Sequence, residues 1–145
     1  MSIEITRLRA DDRARWEVLS RGYKAFYKTE LPDRDYEDTW QRLMRAEDVH
    51  AFAGRLNGGL VGITHYFFHP HVWMGDVCYL QDLFTDEAAR GKGVARALIE
   101  AVAEESRKKK ATKLYWMTQD HNARARTLYD KVAKYQGFIR YDYPL

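Results

Sequence analysis

The 145 residues of this chain are 46% hydrophobic and 14% aromatic, which is enough apolar material for the core of one domain. The formal net charge of +3 does not imply a general affinity for nucleic acids, and no apolar run is long enough to cross a bilayer. The single cysteine, Cys78, excludes a disulfide within the chain. The N-terminal residues lack a basic stretch followed by an apolar one, so we expect one cytoplasmic domain spanning residues 1–145.

The first third of the chain predicts a strand and two helices. Alternating isoleucines indicate a strand over residues 3–9, and Ala10-Asp11-Asp12 can cap a helix that runs to about Tyr27. A second helix follows Pro32 and covers residues 33–44. We interpret most of the aromatic stripe on the first helix as core. The stripe consists of Trp16, Leu19, Tyr23, Phe26 and Tyr27.

An acidic segment joins these two helices. Five carboxylates fall within nine residues, with Arg34 as the only basic residue among them. They could attract a cationic ligand, or they could equally form a solvated loop and a favourable helix start. The five are Glu30, Asp33, Asp35, Glu37 and Asp38.

A hairpin is predicted next, over residues 49–55 and 60–68, because the Asn57-Gly58 step suits a tight turn. His65 and His69 alternate onto one face, and His71 and Asp76 follow, which raises the question of a metal site. Zinc ligands usually have tighter spacing or lie on helices. The loop that contains His71 also carries Val72 and Trp73, which indicates an apolar, aromatic surface. We therefore expect no bound metal.

A strand over residues 78–84, apolar on both faces, leads into a glycine turn and a helix. The turn contains Gly91 and Gly93, with Arg90 and Lys92 beside them. A helix start presents free backbone N–H groups and a positive dipole end, so this turn predicts a pyrophosphate site. It is neither a Walker loop nor the dinucleotide fingerprint, since Arg96 stands where that fingerprint has its third glycine.

The remaining chain predicts a basic helix end at residues 107–110, a strand at 114–117 and a helix capped by Asn122. A final strand is predicted over residues 138–143. Because the chain ends soon afterwards, we expect this aromatic edge to pair with a second copy in a homodimer.

Two motifs together resemble a known family. Arg90-x-x-Gly93-x-Ala95 after a strand resembles the acyl-CoA signature of the GNAT superfamily of N-acetyltransferases. Asn122, Leu128-Tyr129 and Gly137-Phe138 look like its downstream landmarks. The resemblance covers residues 49–138 and is nearest to the small histone-and-polyamine acetyltransferase subgroup. It implies an α/β GNAT fold: a central mixed, twisted β-sheet flanked by about four helices, with acyl-CoA bound at a splay beside the central strand.

The resemblance also implies a reaction and its residues. The reaction is acetyl transfer from acetyl-CoA to a primary amine, on a small molecule or a protein lysine, by direct attack in a ternary complex. Tyr129 would serve the leaving sulfur, and Asn122 would orient the cofactor. The other implied cofactor contacts are Leu83, Phe84, Thr85, Arg90, Gly91, Lys92, Gly93, Val94 and Ala95. The implied acceptor-side residues are Tyr27, Glu30, Asp33 and Gln81.

The general base is less clearly marked. Polyamine-type relatives carry a glutamate on the central strand where this chain has Gln81, which cannot accept a proton. Asp82, His65 or a water chain could take the role, and we name Asp82 as the candidate. A non-catalytic acyl-CoA-sensing or protein-binding module is the alternative. A nucleic-acid-binding role for residues 107–113 with Tyr115 and Trp116 ranks last, because those aromatics should be buried.

Overall fold

The computed structural model describes residues 2–145 and contains one five-stranded sheet in the order β1-β2-β3-β4-β5. The first four strands pair antiparallel, and β4 and β5 pair parallel, so the sheet is mixed. The strands are β1 (Ile3–Thr6), β2 (His50–Leu56), β3 (Gly59–His69), β4 (Val77–Thr85) and β5 (Leu114–Tyr115). β1 and β5 are each shorter than the sequence predicted.

Four α-helices flank the sheet, as expected. They are α1 (Arg13–Phe26), α2 (Asp33–Arg45), α3 (Val94–Lys108) and α4 (Ala123–Val132). Single 3-10 turns at Ala10–Asp12 and Glu87–Ala89 precede α1 and α3. The parallel pair β4 and β5 is connected by α3, the crossover helix that parallel strands require. No helix within residues 2–145 is long and apolar enough to cross a membrane.

Two apolar clusters lie on opposite faces of the sheet. Trp16, Leu19 and Trp40 of α1 and α2 pack on one face with Ala53. On the other face Val102 of α3 packs with strand residues, and α4 adds partly buried side chains there. Alternation along β2 separates the clusters, since Phe52 belongs to the second whereas its neighbours Ala51 and Ala53 belong to the first.

Two paired glycines allow α3 to lie close to the sheet. Gly54 of β2 and Gly62 of β3 are register partners. A Cβ added at either position would lie 2.8 Å from Cγ1 of Val94, the first residue of α3. The start of this helix is therefore seated directly on the sheet backbone.

The β2–β3 turn confirms its sequence prediction. Asn57 and Gly58 have φ values of 51° and 88°, the left-handed conformations that a two-residue hairpin turn with primed geometry requires. The Asn57 side chain also accepts a hydrogen bond from the Ser2 backbone N–H at 3.1 Å, which joins the turn to the start of β1.

A buried ion pair connects the turn before α1 to β2. Both Arg55 side-chain nitrogens Nη1 and Nη2 donate to Asp12, at 3.0 and 2.7 Å. The Asp12 carboxylate also accepts from the Arg9 backbone N–H at 2.7 Å. Burial alone would raise the pKa of Asp12, but the hydrogen bonds from Arg55 and Arg9 lower it below its ordinary value.

The predicted strand over residues 138–143 is wrong for the single chain, because residues 133–145 form neither helix nor strand. Phe138 and Tyr141 are 85% and 87% exposed. A strand needs a hydrogen-bonding neighbour, and β5, the last strand in the sheet order, is only two residues long. Pairing of this segment with a second copy stays a prediction.

Candidate active site

The strands β4 and β5 diverge after two pairs of residues. Cys78 pairs with Leu114 and Tyr79 with Tyr115, and β4 continues without a β5 partner to Thr85. The backbone groups of residues 80–85 on that side thus have no β5 partner, and of these the Thr85 carbonyl accepts from Arg90 Nε at 3.2 Å. The predicted cofactor contacts Leu83, Phe84 and Thr85 all lie on this unpaired length, which has the form of the expected splay.

A β-bulge reorients the side chains of β4. The register passes from His65 opposite Asp82 to Tyr66 opposite Leu80, so Gln81 is the extra residue. Gln81 is exposed, whereas Asp82 lies beside His65. The Thr64 hydroxyl donates to the Asp82 carbonyl at 2.7 Å and holds the bulge. The bulge therefore delivers Asp82, and not Gln81, to the interior.

Asp82 ends a chain of three buried or half-buried polar groups. The Trp16 indole N–H donates to His65 Nε2 at 3.0 Å, and His65 Nδ1 lies 2.8 Å from an Asp82 carboxylate oxygen. Burial alone would raise the pKa of Asp82, but His65, Lys24 and Tyr23 together lower it below its ordinary value. Asp82 is therefore a charged carboxylate at neutral pH.

A small cavity of ≈ 20 Å³ adjoins this carboxylate. It is lined by α1 on one side and by β3 and β4 on the other, with Ser20, Tyr23 and Asp82 as its oxygen-bearing side chains. Burial and the Asp82 charge raise the pKa of Tyr23, so its phenol stays protonated and can donate.

The glycine turn has the backbone that a phosphate cradle needs. Gly91 and Gly93 have φ values of 78° and 91°, and Gly93 is the N-cap of α3. A Cβ at Gly91 would meet nothing within 4 Å, so the glycine is required by conformation and not by space. The first turn of α3 carries no acidic residue, and Lys92 is exposed beside it. The donor set fits an anionic phosphate.

Tyr129 and Asn122 both lie on α4, with different surroundings. The Tyr129 ring packs edge-on against Trp116, and burial raises the pKa of its phenol to about 12. Asn122 caps the helix by accepting from the Ala125 N–H at 3.5 Å, and its amide donates to Thr118 at 3.1 Å. The capping role predicted for Asn122 is confirmed, and it occupies both ends of the side-chain amide.

The Acetyltransferase (GNAT) family model matches residues 15–135, which include most of α1, the other three helices, the splay and the glycine turn. The chain belongs to this family. A D-amino-acid N-acetyltransferase of Saccharomyces cerevisiae is 33% identical over 90% of this chain and 84% of its own length. A thialysine N-epsilon-acetyltransferase of Bos taurus is 29% identical over 80% of this chain and 68% of its own.

Solved structures agree on the fold. The aminoglycoside acetyltransferase AAC(6')-Iy, in complex with a bisubstrate analogue, superposes with a TM-score of 0.88 at 15% identity, over 100% of this chain and 99% of its own. A ribosomal-protein-alanine N-acetyltransferase from Brucella melitensis gives 0.83 at 22% identity, with complete coverage of both chains. The chain is an N-acetyltransferase, which disfavours the non-catalytic module.

On the acceptor side, the acidic segment of this N-acetyltransferase is more neutralised than the sequence suggested. Arg34 is the only basic residue within the segment, but α1 supplies two further basic partners. Arg21 pairs with Asp33 at 2.7 Å, and Arg13 pairs with Glu37 at 3.2 Å. These partners are distant in sequence and adjacent only in the fold. A general attraction of cations to this segment is correspondingly weakened.

The four predicted acceptor residues are not all brought together. Tyr27 lines an open cleft of ≈ 530 Å³ between the end of α1 and the start of α4. Gln81 is at the bulge, and Glu30 and Asp33 are exposed outside the lining of this cleft. Sequence reasoning missed Lys28, His121 and Arg124, which line the cleft, and the lysine and arginine give it positive charge.

The histidines of β3 are occupied by protein partners. His65 contacts Trp16 and Asp82, and His69 contacts the Tyr115 hydroxyl at 2.8 Å. No group of three or more metal-ligating side chains occurs in the part of the chain described, residues 2–145. Tyr115 also stacks on Tyr79, so its ring is engaged by the sheet and is not a platform for a nucleic-acid base.

Proposed function

We propose that this enzyme transfers the acetyl group of acetyl-CoA to the primary amine of a small molecule or a lysine, by direct attack in a ternary complex. The observation that carries the proposal is the divergence of β4 from β5 next to a helix whose N-cap is Gly93. This arrangement offers unpaired strand backbone and a phosphate-binding helix start on one side of the molecule.

Residues of the splay and the turn would hold the co-substrate. Backbone N–H groups of residues 91–95, with the side chains of Arg90 and Lys92, suit the pyrophosphate, while Leu83, Phe84 and Thr85 would offer backbone groups to the pantetheine arm. When bound, acetyl-CoA supplies a thioester carbonyl for attack and a thiolate as leaving group. A free β4 N–H can polarise that carbonyl as a preorganised donor.

Two side chains would assist the reaction, one by accepting a proton and one by donating a hydrogen bond. An amine of pKa about 10.4 is almost fully protonated at pH 7, and removing its proton costs about 4.6 kcal/mol. We assign that proton to Asp82, the charged carboxylate that the bulge turns inward. We assign stabilisation of the leaving sulfur to the Tyr129 phenol, which stays protonated and can donate.

The acceptor we favour is an amino acid or a close analogue. The two relatives described above are named for D-amino acids and for thialysine. The cleft beside Tyr27 is lined by Lys28 and Arg124, whose positive groups suit a carboxylate, and by His121. An amino-acid acceptor carries such a carboxylate along with its amine.

Thiol release with a panel of amines tests the proposal. D-amino acids, L-lysine, thialysine, spermidine and an aminoglycoside would each be supplied with acetyl-CoA. We expect the highest kcat/KM among the amines that carry a carboxylate. A preference for polyamines or aminoglycosides would refute the amino-acid assignment, and acetyl-CoA turnover on none of them would refute acetyl transfer to this class.

We also propose that residues 1–145 act as one domain and that two copies associate through residues 138–143. Exposed Phe138, Ile139, Tyr141 and Tyr143 support this association, because apolar side chains seldom line a free edge. Light scattering at micromolar concentration should give twice the monomer mass, and a monomer would defeat the proposal. A cytoplasmic location stays a prediction from the sequence.

A further inference from the structure

We infer that Trp16 and His65 are positioning residues, which orient the Asp82 carboxylate toward the small cavity between α1 and β4, and that His65 is not itself the base. The inference rests on the proposed function, in which Asp82 accepts the proton of the acceptor amine. It assigns a catalytic purpose to two residues in the core beneath α1.

The first step concerns the protonation pattern of His65. Trp16 is 1% exposed and its indole nitrogen can only donate, so His65 Nε2 must be the acceptor of their 3.0 Å hydrogen bond. The proton of the neutral imidazole then resides on Nδ1, which donates to Asp82 at 2.8 Å. A proton added at Nε2 would face the indole N–H. While Trp16 holds its place, His65 cannot accept a proton and serves only as a donor.

The second step concerns Asp82. Its side chain is 19% exposed, and only one of its two oxygens makes the contact with His65. The titratable groups that face it are Tyr23 and Lys24 on α1 and His65 on β3. The Tyr23 phenol also lies within side-chain hydrogen-bonding reach of this carboxylate. Each carboxylate oxygen has two lone pairs, so donors from His65 and Tyr23 orient Asp82 and leave acceptor capacity for a group in the cavity.

The third step concerns the cavity itself. Ser20 is 6% exposed, its hydroxyl oxygen is buried without a protein partner, and it lines the same cavity as Asp82. A volume of ≈ 20 Å³ has room for about one water-sized group. A water or an ammonium group there would meet oxygens of both residues. The cavity is therefore suited to a hydrogen-bond donor that delivers a proton to Asp82.

The proton transfer balances without a further reactant. An N–H bond of the acceptor ammonium breaks, directly or through one water, and an O–H bond forms on Asp82. The neutral amine and neutral carboxylic acid form only transiently, because the acid gives its proton to solvent at neutral pH; Asp82 therefore relays the proton and does not retain it. His65 keeps its Nδ1–H throughout, so it changes neither charge nor tautomer.

Nuclear magnetic resonance of ¹⁵N-labelled histidine tests the tautomer without any reaction. In the ligand-free protein at pH 7 we expect His65 to carry its proton on Nδ1 and none on Nε2. In Trp16→Phe, which keeps an aromatic ring but loses the donor, we expect the Nε2–H form to appear. A wild-type His65 protonated on Nε2, alone or together with Nδ1, would overturn the inference.

A matched pair of variants tests the positioning role. His65→Asn keeps an N–H close to the position of Nδ1, whereas His65→Leu has a side chain of the same heavy-atom number without a donor. We expect kcat on the best amine to fall more than about tenfold in His65→Leu and to stay within about threefold in His65→Asn. Thermal melts would establish that both variants are folded. Equal activity of the pair, high or low, would overturn the inference.

Asp82→Asn separates this inference from the proposed function. Retained activity in Asp82→Asn would refute the base assignment. Lost activity in Asp82→Asn, together with equal activity of the two His65 variants, would overturn the positioning role alone. Calorimetric CoA affinity should be the same in all these variants, because none of them touches the glycine turn.

Discussion

Tyr129→Phe is expected to reduce kcat by 10- to 1000-fold and to leave the KM for acetyl-CoA nearly unchanged. The substitution removes one hydroxyl and keeps the ring that packs edge-on against Trp116 at a centroid distance of 5.4 Å. Packing is therefore preserved, and the loss of activity measures the hydroxyl. A single preorganised donor to developing negative charge is worth roughly 3 to 4 kcal/mol at the upper end.

The raised pKa of Tyr129 decides which role the hydroxyl plays. At a pKa of about 12 the phenol lies about 3.5 pKa units above an ordinary thiol, so full proton transfer to the sulfur would cost about 5 kcal/mol. Donation of a hydrogen bond requires no such transfer. Tyr129 should accordingly stabilise the departing thiolate without losing its proton.

Steady-state thiol release on the best amine, from pH 6 to pH 10, is the assay. Because the phenol stays protonated across this range, the wild-type profile should show no loss of kcat from ionisation of Tyr129. Tyr129→Phe should lower the whole profile without changing its form. A variant that kept kcat within twofold would reduce Tyr129 to a packing residue, and transfer would then depend on positioning.

Three further predictions concern the turn and the buried ion pair. Gly93→Asp should weaken CoA binding by more than about tenfold in calorimetry. The control Gly58→Asp, at an equally positive φ in the remote hairpin, should keep the wild-type affinity, and equal affinities of the two variants would refute the phosphate-binding role of the turn. Asp12→Asn should lower the urea-unfolding free energy by about 3–5 kcal/mol, because it leaves the buried Arg55 charge unpaired, and the exposed Asp11→Asn serves as control. The pKa of Asp12 is lower in the folded than in the unfolded protein, so its contribution to the free energy of unfolding should be complete above about pH 4 and be lost as pH falls through the folded pKa. Asp12→Asn should therefore make the stability less dependent on pH in the acid range, and an unchanged dependence would contradict this.

Local patterns predicted the parts of the fold that depend on local physics. The Asn57-Gly58 turn and the glycine N-cap at Gly93 follow from backbone conformations that few other residues adopt, and both are confirmed. The helix cap at Asn122 is likewise a contact within four residues. Such features need no knowledge of which elements meet.

Contacts between residues distant in sequence could not be predicted from the sequence alone. Trp16 and His65 are 49 residues apart, and the packing of α1 on the sheet brings them together. Arg13 and Glu37 are 24 residues apart, and the packing of α1 against α2 brings them together. The resemblance implied a splay beside the central strand but did not place the bulge at Gln81, which turns Asp82 inward and Gln81 outward. Residues 138–143 have the pattern of a strand, but a pattern cannot supply the neighbour that a strand needs.

The reactivity of the Cys78 thiol can be used to follow conformational opening at the splay. It is 0% exposed, burial raises the pKa of its thiol, and it forms one of the two residue pairs that join β4 to β5. Reagents that react with thiolates should therefore leave the folded enzyme unlabelled and detect only the CoA it releases. Slow alkylation of Cys78 would require local opening, so its rate measures how often the structure around these two strands opens. A lower rate in the presence of CoA would measure how strongly the ligand stabilises the closed conformation.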